Sequence, residues 1–214
     1  MTIMRPAETG ISEALEKASG IIKKGGVIAY PTETFYGLGV KYDDISALKK
    51  LYGIKHRSWN KALPLIIGEK GELDLIASDI TVSAEKLAKK FWPGPLTLLL
   101  PAKPDISEFI TAKTGKIAVR IPGASFALDL ARSLGFPITA TSANISGMPP
   151  ADNADDVIRY FGDALDLIID CGKTPGGKPS TIVDASGQNI RFLRAGTISI
   201  EEVFNVLYMD SERI

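Results

Sequence analysis

Apolar residues recur along the chain with two periods, and the two alternate. Ala14, Leu15, Ala18, Ile21 and Ile22 fall at helical spacing, with Ser12 as an expected cap and Gly25 and Gly26 as a stop. GVIAY then reads as a buried strand that leaves into the loop PTETFYGLG. Asp44 opens a second helix through Ile45, Leu48, Leu51 and Tyr52, which runs into the basic stretch GIKHRSWNK before the strand LPLII. Thr81 or Ser83 caps a third helix through Leu87 and Phe91, and WPGP ends it, because proline lacks the amide and its ring clashes. The strand LTLLLP, a short helix near 106–111, the strand KIAVRIP, the helix SFALDLARSLG and the strand PITATSAN follow.

After the helix in ADNADDVIRYFGDAL, whose acidic first turn suits the helix dipole, the segments LDLIID, STIVDAS and NIRFLRAG are separated only by short turns. Short turns favour antiparallel pairing, so the expectation is an α/β fold with a twisted, mixed parallel and antiparallel sheet and flanking helices. IEEVFNVLY forms a last helix, and the tail MDSERI is expected to fray. With no repeat or linker, residues 1–214 read as one domain.

Composition narrows the function classes. Lys plus Arg and Asp plus Glu both number 25, so no global positive field draws the chain to nucleic acid, and a basic site must be local. The single Cys171 and single His56 exclude a disulfide framework and the usual zinc sets. Without a signal peptide or a spanning apolar run, no membrane partner is expected and the location is taken as cytoplasmic.

Candidate chemistry sits at the ends of these elements. Gly172, Gly177 and Lys178 in DCGKTPGGKPST imitate a phosphate loop, but Pro179 removes the hydroxyl position and a strand follows where a helix is needed, so this reads as a glycine-rich turn. Lys55, Arg57 and Lys61 form either a solvated helix end or a phosphate clamp, and spacing alone leaves that open. Ser142, Asn144 and Ser146 offer hydroxyl and amide groups after the strand start PITA, unless they serve as turn residues. Arg120 lies inside the apolar run VRIP, where a charge is costly unless paired or bound to an anion, and Arg194 in FLRAG makes a weaker case of the same kind.

Taken in order, YPTETFYGLG, KHRSWNKALPL, FWPGPLTLLL, AVRIP, PITATSANISG, PSTIVD and FLRAG resemble the YrdC family of threonylcarbamoyl-AMP synthases over about residues 10–200. The resemblance implies a YrdC-like fold with a basic concave face, in the short form without a further C-terminal domain. It implies an enzyme, a nucleotidyltransferase, that joins L-threonine, bicarbonate and ATP, with Mg2+, into threonylcarbamoyl-AMP and pyrophosphate for tRNA modification. Downstream threonylcarbamoyl-transferase proteins are then partners. By the same resemblance Lys55, Arg57, Ser142 and Asn144 are catalytic, Thr34, Arg120 and Ser142 meet threonine or its carbamate, and Lys55, Arg57, Lys61, Asn144, Thr181 and Arg194 hold ATP. No protein metal ligands are implied. The alternatives are a double-stranded RNA-binding module, which would contact RNA or tRNA through the basic face, and a related adenylating or carbamoyl-transfer paralogue. The chain departs from the family pattern at Ser58, Gly68 and Lys116, where Pro, His and Thr are frequent.

Overall fold

The computed structural model describes residues 1–208, so the tail from 209 lies outside the described residues. Its strands and helices, in chain order, are β1 (Thr2–Met4), α1 (Pro6–Thr9), α2 (Ile11–Lys23), β2 (Ile28–Pro31), β3 (Tyr36–Gly39), α3 (Ile45–Ile54), β4 (Leu65–Ile66), α4 (Val82–Phe91), β5 (Leu96–Pro101), α5 (Glu108–Thr111), β6 (Lys116–Arg120), α6 (Phe126–Leu134), β7 (Ile138–Thr139), β8 (Thr141–Ser142), α7 (Ala154–Phe161), β9 (Leu167–Ile169), β10 (Thr181–Asp184), β11 (Arg191–Arg194) and α8 (Ile200–Tyr208). A 3-10 turn at Lys70–Leu75 and a shorter one at Gly162–Ala164 complete the path.

The mixed α/β fold is as expected, but the strands form two mixed sheets where one was expected. One runs β1-β9-β2-β3-β8 and the other β11-β10-β5-β6-β4-β7. The single strand read from PITATSAN is the point of division. Ile138 and Thr139 pair with β4, Thr141 and Ser142 pair with β3, and between them the Ala140 amide donates to the Pro64 carbonyl at 2.8 Å. That bond carries the β4 ladder one pair further, while the Thr139 amide donates to the Val40 carbonyl just past β3, so successive amides of this segment serve the two sheets in turn.

Three other differences have local causes. β1 and α1 precede the first expected helix; β1 gains its ladder only from β9, far along the chain, which no local pattern signals. α2 starts after Gly10 without a side-chain cap, so Ser12 lies inside it. The second half of PTETFYGLG is β3, antiparallel to β2, so the loop contracts to Thr32–Phe35. Of the three late segments, β10 and β11 are antiparallel as expected, whereas β9 belongs to the other sheet and pairs parallel with β1 and β2.

Caps and amphipathic faces otherwise follow the side chains. Asp44 accepts the Ala47 amide at 2.9 Å and Thr81 accepts that of Ala84 at 3.1 Å, each satisfying a helix-start donor. The larger apolar cluster joins Leu48, Leu51, Leu65, Leu98 and Val119 between the sheets and helices, and a smaller one packs Ala14, Ala18 and Ile22 of α2 with Leu130 and Ala131 of α6. No helix among the described residues is long and apolar enough to cross a membrane.

Candidate functional site

A cavity of about 580 Å³ opens between the two sheets, within the range of small-molecule sites. Its floor is the outward pleat of three neighbouring strands. Thr97 and Leu99 come from β5, Lys116, Ala118 and Arg120 from β6, and Ile182 and Asp184 from β10. The period of two does this: Ile117 and Val119 turn into the core while the residues between them face the cavity. Thr34, Arg57, Ser142 and Arg194 line it from other elements.

The Thr32–Phe35 turn is a self-contained knot. The Thr32 hydroxyl donates to the Phe35 carbonyl at 2.7 Å, accepts the Thr34 amide at 3.1 Å and lies 3.1 Å from the Thr34 hydroxyl. The Thr34 carbonyl takes the Gly176 amide at 2.8 Å, which ties this turn to the glycine-rich segment. Gly172, Gly176 and Gly177 all have positive φ, so that segment is a turn into β10, as its failure to match a phosphate loop requires. Lys178 does not line the cavity, but Pro179 and Ser180 do.

Arg120 is buried and pairs with Glu33, whose other oxygen, Oε2, is buried without a partner. A charge inside an apolar strand is thus compensated, as its position demands. Arg194 donates through Nη2 to the Ser180 carbonyl at 2.8 Å and to the Ser180 hydroxyl at 3.0 Å. It reaches that position because Gly196 lies flat against the Pro179–Thr181 backbone, where any Cβ would overlap the Pro179 oxygen and the Thr181 nitrogen. Burial first, then the nearby Arg120 charge, lower the pKa of Arg194.

Arg57 leaves α3 with Nη2 on the Ala62 carbonyl at 2.7 Å and Nε on that of Lys61 at 3.2 Å, so the loop's own backbone aims the guanidinium. Lys55 behaves differently. It is 1% exposed, does not line the cavity, and donates from Nζ to the Ser142 carbonyl, to the Asn144 carbonyl at 2.7 Å and to Asn144 Oδ1 at 3.4 Å. It acts as a clamp on the Ser142–Asn144 turn, and burial followed by the Arg57 charge brings its pKa down to about 7. Asn144 is held from both ends, its Oδ1 accepting from the Ser142 hydroxyl at 2.6 Å and its Nδ2 donating to the Met148 carbonyl at 2.5 Å.

Five expected residues therefore meet at the cavity: Thr34, Arg57, Arg120, Ser142 and Arg194. Four do not line it. Lys55 and Asn144 stand behind Ser142; Lys61 is exposed, contributing its carbonyl to Arg57 and to the Tyr52 hydroxyl. Thr181 is fully buried, donating to the Ile198 carbonyl at 2.6 Å and accepting the Ile198 amide at 3.0 Å, because strand alternation turns it to the face opposite Ser180 and Ile182. That arrangement places Thr181 in the fold's framework and not against the cavity. Gly68 also lies away from it; a Cβ there would meet the Arg132 amide nitrogen at 2.6 Å, so α6 packs directly on this backbone.

Reading the sequence by motif missed Glu33, Ser180, Lys116 and Asp184. Lys116 Nζ bonds Asp184 Oδ2 at 2.7 Å, while Asp184 Oδ1 accepts the Ser186 hydroxyl at 2.6 Å and the Ser186 amide at 3.1 Å. Burial pushes the Asp184 carboxyl up, but these hydrogen bonds outweigh it and hold the pKa below the usual range. Strict alternation along KIAVR was the available signal, since it puts Lys116 on the same face as Arg120. No group of three His, Cys, Asp or Glu among the described residues is placed to hold a metal ion.

Residues 20–196 match the family model for Sua5, YciO and YrdC, described as telomere recombination. The threonylcarbamoyl-AMP synthase of Pyrococcus abyssi is 38% identical over 97% of this chain and 61% of its own length. That of Bacillus subtilis is 36% identical over 90% of this chain and 56% of its own. This chain thus spans about three fifths of the curated relatives it matches. Among solved structures, P. abyssi Sua5 complexed with L-threonine superimposes with a TM-score of 0.90 at 37% identity, covering 97% of this chain and 60% of that one. Escherichia coli YciO gives 0.82 at 25% identity, covering 94% and 98%. With the match running through most of its length and through every element that lines the cavity, the chain belongs to the Sua5/YciO/YrdC family.

Proposed function

We propose that this chain is a threonylcarbamoyl-AMP synthase, joining L-threonine, bicarbonate and ATP with release of pyrophosphate. The observation that carries the reading is the meeting of Arg57, Arg120 and Arg194 with the hydroxyls of Thr34 and Ser142 in one cavity. Relatives at 36–38% identity bear that name, and one solved relative is complexed with L-threonine.

The chemistry needs what this cavity offers. Threonine's amine takes up carbon dioxide, supplied by bicarbonate, to form a carbamate and release a proton. A carbamate oxygen then attacks the α-phosphorus of ATP, forming the mixed anhydride as the bond to the pyrophosphate oxygen breaks. Both reactants are anions, so the enzyme's task is to neutralise and align them. Arg120 is placed for a carboxylate, with Glu33 fixing it from behind, while Arg57 and Arg194 face phosphates. Thr34 and Ser142 can orient threonine and its carbamate. Lys55 acts through the Ser142–Asn144 turn it clamps. The attacking oxygen is already ionised, so no general base is required at that step. Magnesium enters with ATP, as the Mg–ATP substrate. The labile anhydride product implies a downstream transferase that accepts it for tRNA modification, and we place the reaction in the cytoplasm.

The test is pyrophosphate release from ATP and bicarbonate with and without threonine. Release should depend on threonine and fall roughly 100-fold or more in Arg57→Ala, in line with loss of one preorganised donor. Release indifferent to threonine overturns the reading.

A further inference from the structure

Tyr52 is buried and does not line the cavity, yet it holds the loop that carries Arg57 at both ends. At the near end α3 stops in a Schellman turn. The His56 amide donates to the Gly53 carbonyl at 3.1 Å, the Arg57 amide to the Tyr52 carbonyl at 3.0 Å, and His56 takes the left-handed φ of 49° that such a turn uses. Through this turn Lys55 faces the Ser142–Asn144 oxygens while Arg57, two residues on, faces the cavity. At the far end the Tyr52 hydroxyl lies 2.7 Å from the Lys61 carbonyl and 2.8 Å from that of Phe109 in α5, its single hydrogen shared between them. The Lys61 carbonyl is the one that also accepts Arg57 Nε, so phenol and guanidinium meet on one oxygen.

The residues between are closed by the Lys61 amide on the Ser58 carbonyl at 3.1 Å. Within that turn Trp59 stacks on the Tyr52 ring, centroids 4.6 Å apart and planes 28° from parallel, and makes an edge contact with Phe109 at 5.1 Å. Trp59 is 54% exposed, so the stack on Tyr52 and not a place in the core fixes it. Burial raises the Tyr52 phenol pKa and the Arg57 charge pulls it back, while burial lowers that of Arg57 and Tyr52 raises it, so each group feels the other. An arginine stem has many rotamers, and its guanidinium returns to one point only where its acceptors are themselves fixed. Both acceptors of Arg57, the Lys61 and Ala62 carbonyls, belong to the segment that Tyr52 and Trp59 pin. We infer that Tyr52 and Trp59 are positioning residues, which hold this segment so that Arg57 presents its guanidinium to the departing pyrophosphate. The inference rests on the synthase reading for the presence of that group.

Threonine-dependent pyrophosphate release and calorimetric binding of inorganic pyrophosphate, with Tm recorded throughout, test it on Arg57→Ala, Tyr52→Phe, their double variant, Trp59→Ala and Trp59→Phe. Tyr52→Phe keeps the ring and removes the hydroxyl. Its kcat should fall about tenfold or more with the threonine KM within about twofold of the parent, since a small misplacement of an aligned group is enough. In the Arg57→Ala background the same change should cost less than about twofold, because the group it positions is gone. Trp59→Ala, at a half-exposed site, should stay folded and lose kcat in the same way, and Trp59→Phe should restore most of it. Pyrophosphate affinity should follow the same pattern. A merely structural Tyr52 would lower Tm and leave kcat of the folded chain alone, or cost as much without Arg57 as with it; either result overturns the proposal and leaves the synthase reading standing. Release that ignores threonine, beside pyrophosphate affinities that fall in both single variants and no further in the double, sinks the synthase reading and keeps the positioning role. A parent chain that neither releases nor binds pyrophosphate sinks both.

Discussion

Removing Glu33 tests whether Arg120 is an anion-binding group held in readiness by an internal counter-ion. The two side chains are 15% and 9% exposed, so neither charge has free access to water. Breaking a buried pair by deleting one member costs about 3–5 kcal/mol, because the survivor is left uncompensated. Here Arg120 borders the cavity, through which water can reach it, so Glu33→Ala should lose roughly 2–4 kcal/mol, tending to the lower end. For a chain of this size that lowers Tm by about 5–15 °C. Removing both charges should hurt less: Glu33 already carries an oxygen without a partner, so Glu33→Ala with Arg120→Met should recover to within about 1 kcal/mol of the parent. Denaturant unfolding of the four proteins gives the coupling energy directly. A further arm separates binding from packing. The bare guanidinium in Glu33→Ala should take up pyrophosphate or threonine, and a ligand at 100 times its Kd contributes about 2.7 kcal/mol. A loss under 1 kcal/mol in Glu33→Ala, or simple additivity of the two substitutions, would refute the counter-ion reasoning.

Two other outcomes follow from side chains behind the cavity. Lys55 has a folded pKa near 7, below its ordinary 10.5, so between those values the folded chain binds fewer protons than the unfolded one. Its contribution to stability therefore rises with pH across that window, by at most about 1.4 kcal/mol per pH unit, and a Lys55→Met variant should lose this slope in unfolding measured from pH 7 to pH 9. Thr181→Val should cost roughly 2 kcal/mol by stranding the buried Ile198 carbonyl and amide, while leaving the KM for ATP unchanged; a raised KM at undiminished stability would return Thr181 to the nucleotide.

How far the chain could be read before folding depended on how local each cause is. The helices of Asp44 and Thr81 and the strand LTLLLP carry their reasons within a few residues, in a cap, a proline stop or an apolar run. β1 does not, because three residues with one buried side chain become a strand only when β9 arrives beside them. The division into two sheets falls within residues 138–142, whose successive amides turn to Val40 and to Pro64, and no composition pattern marks it.

The candidate site divides along the same line. Arg120 was legible because a charge in an apolar run must have a partner, but the identity of that partner, Glu33, was hidden inside the motif that had drawn notice for its threonines. Lys55 shows the opposite error. Its place in a basic stretch suggested a phosphate, whereas burial turns its ammonium onto the Ser142 and Asn144 oxygens. Thr181 and Lys116 could have been exchanged in the reading on alternation alone. Thr181 shares neither face nor partners with Ser180, while Lys116, one strand length from Arg120, shares its face. A motif identifies residues that stand near a site; the period of two on each strand decides which of them reach into it.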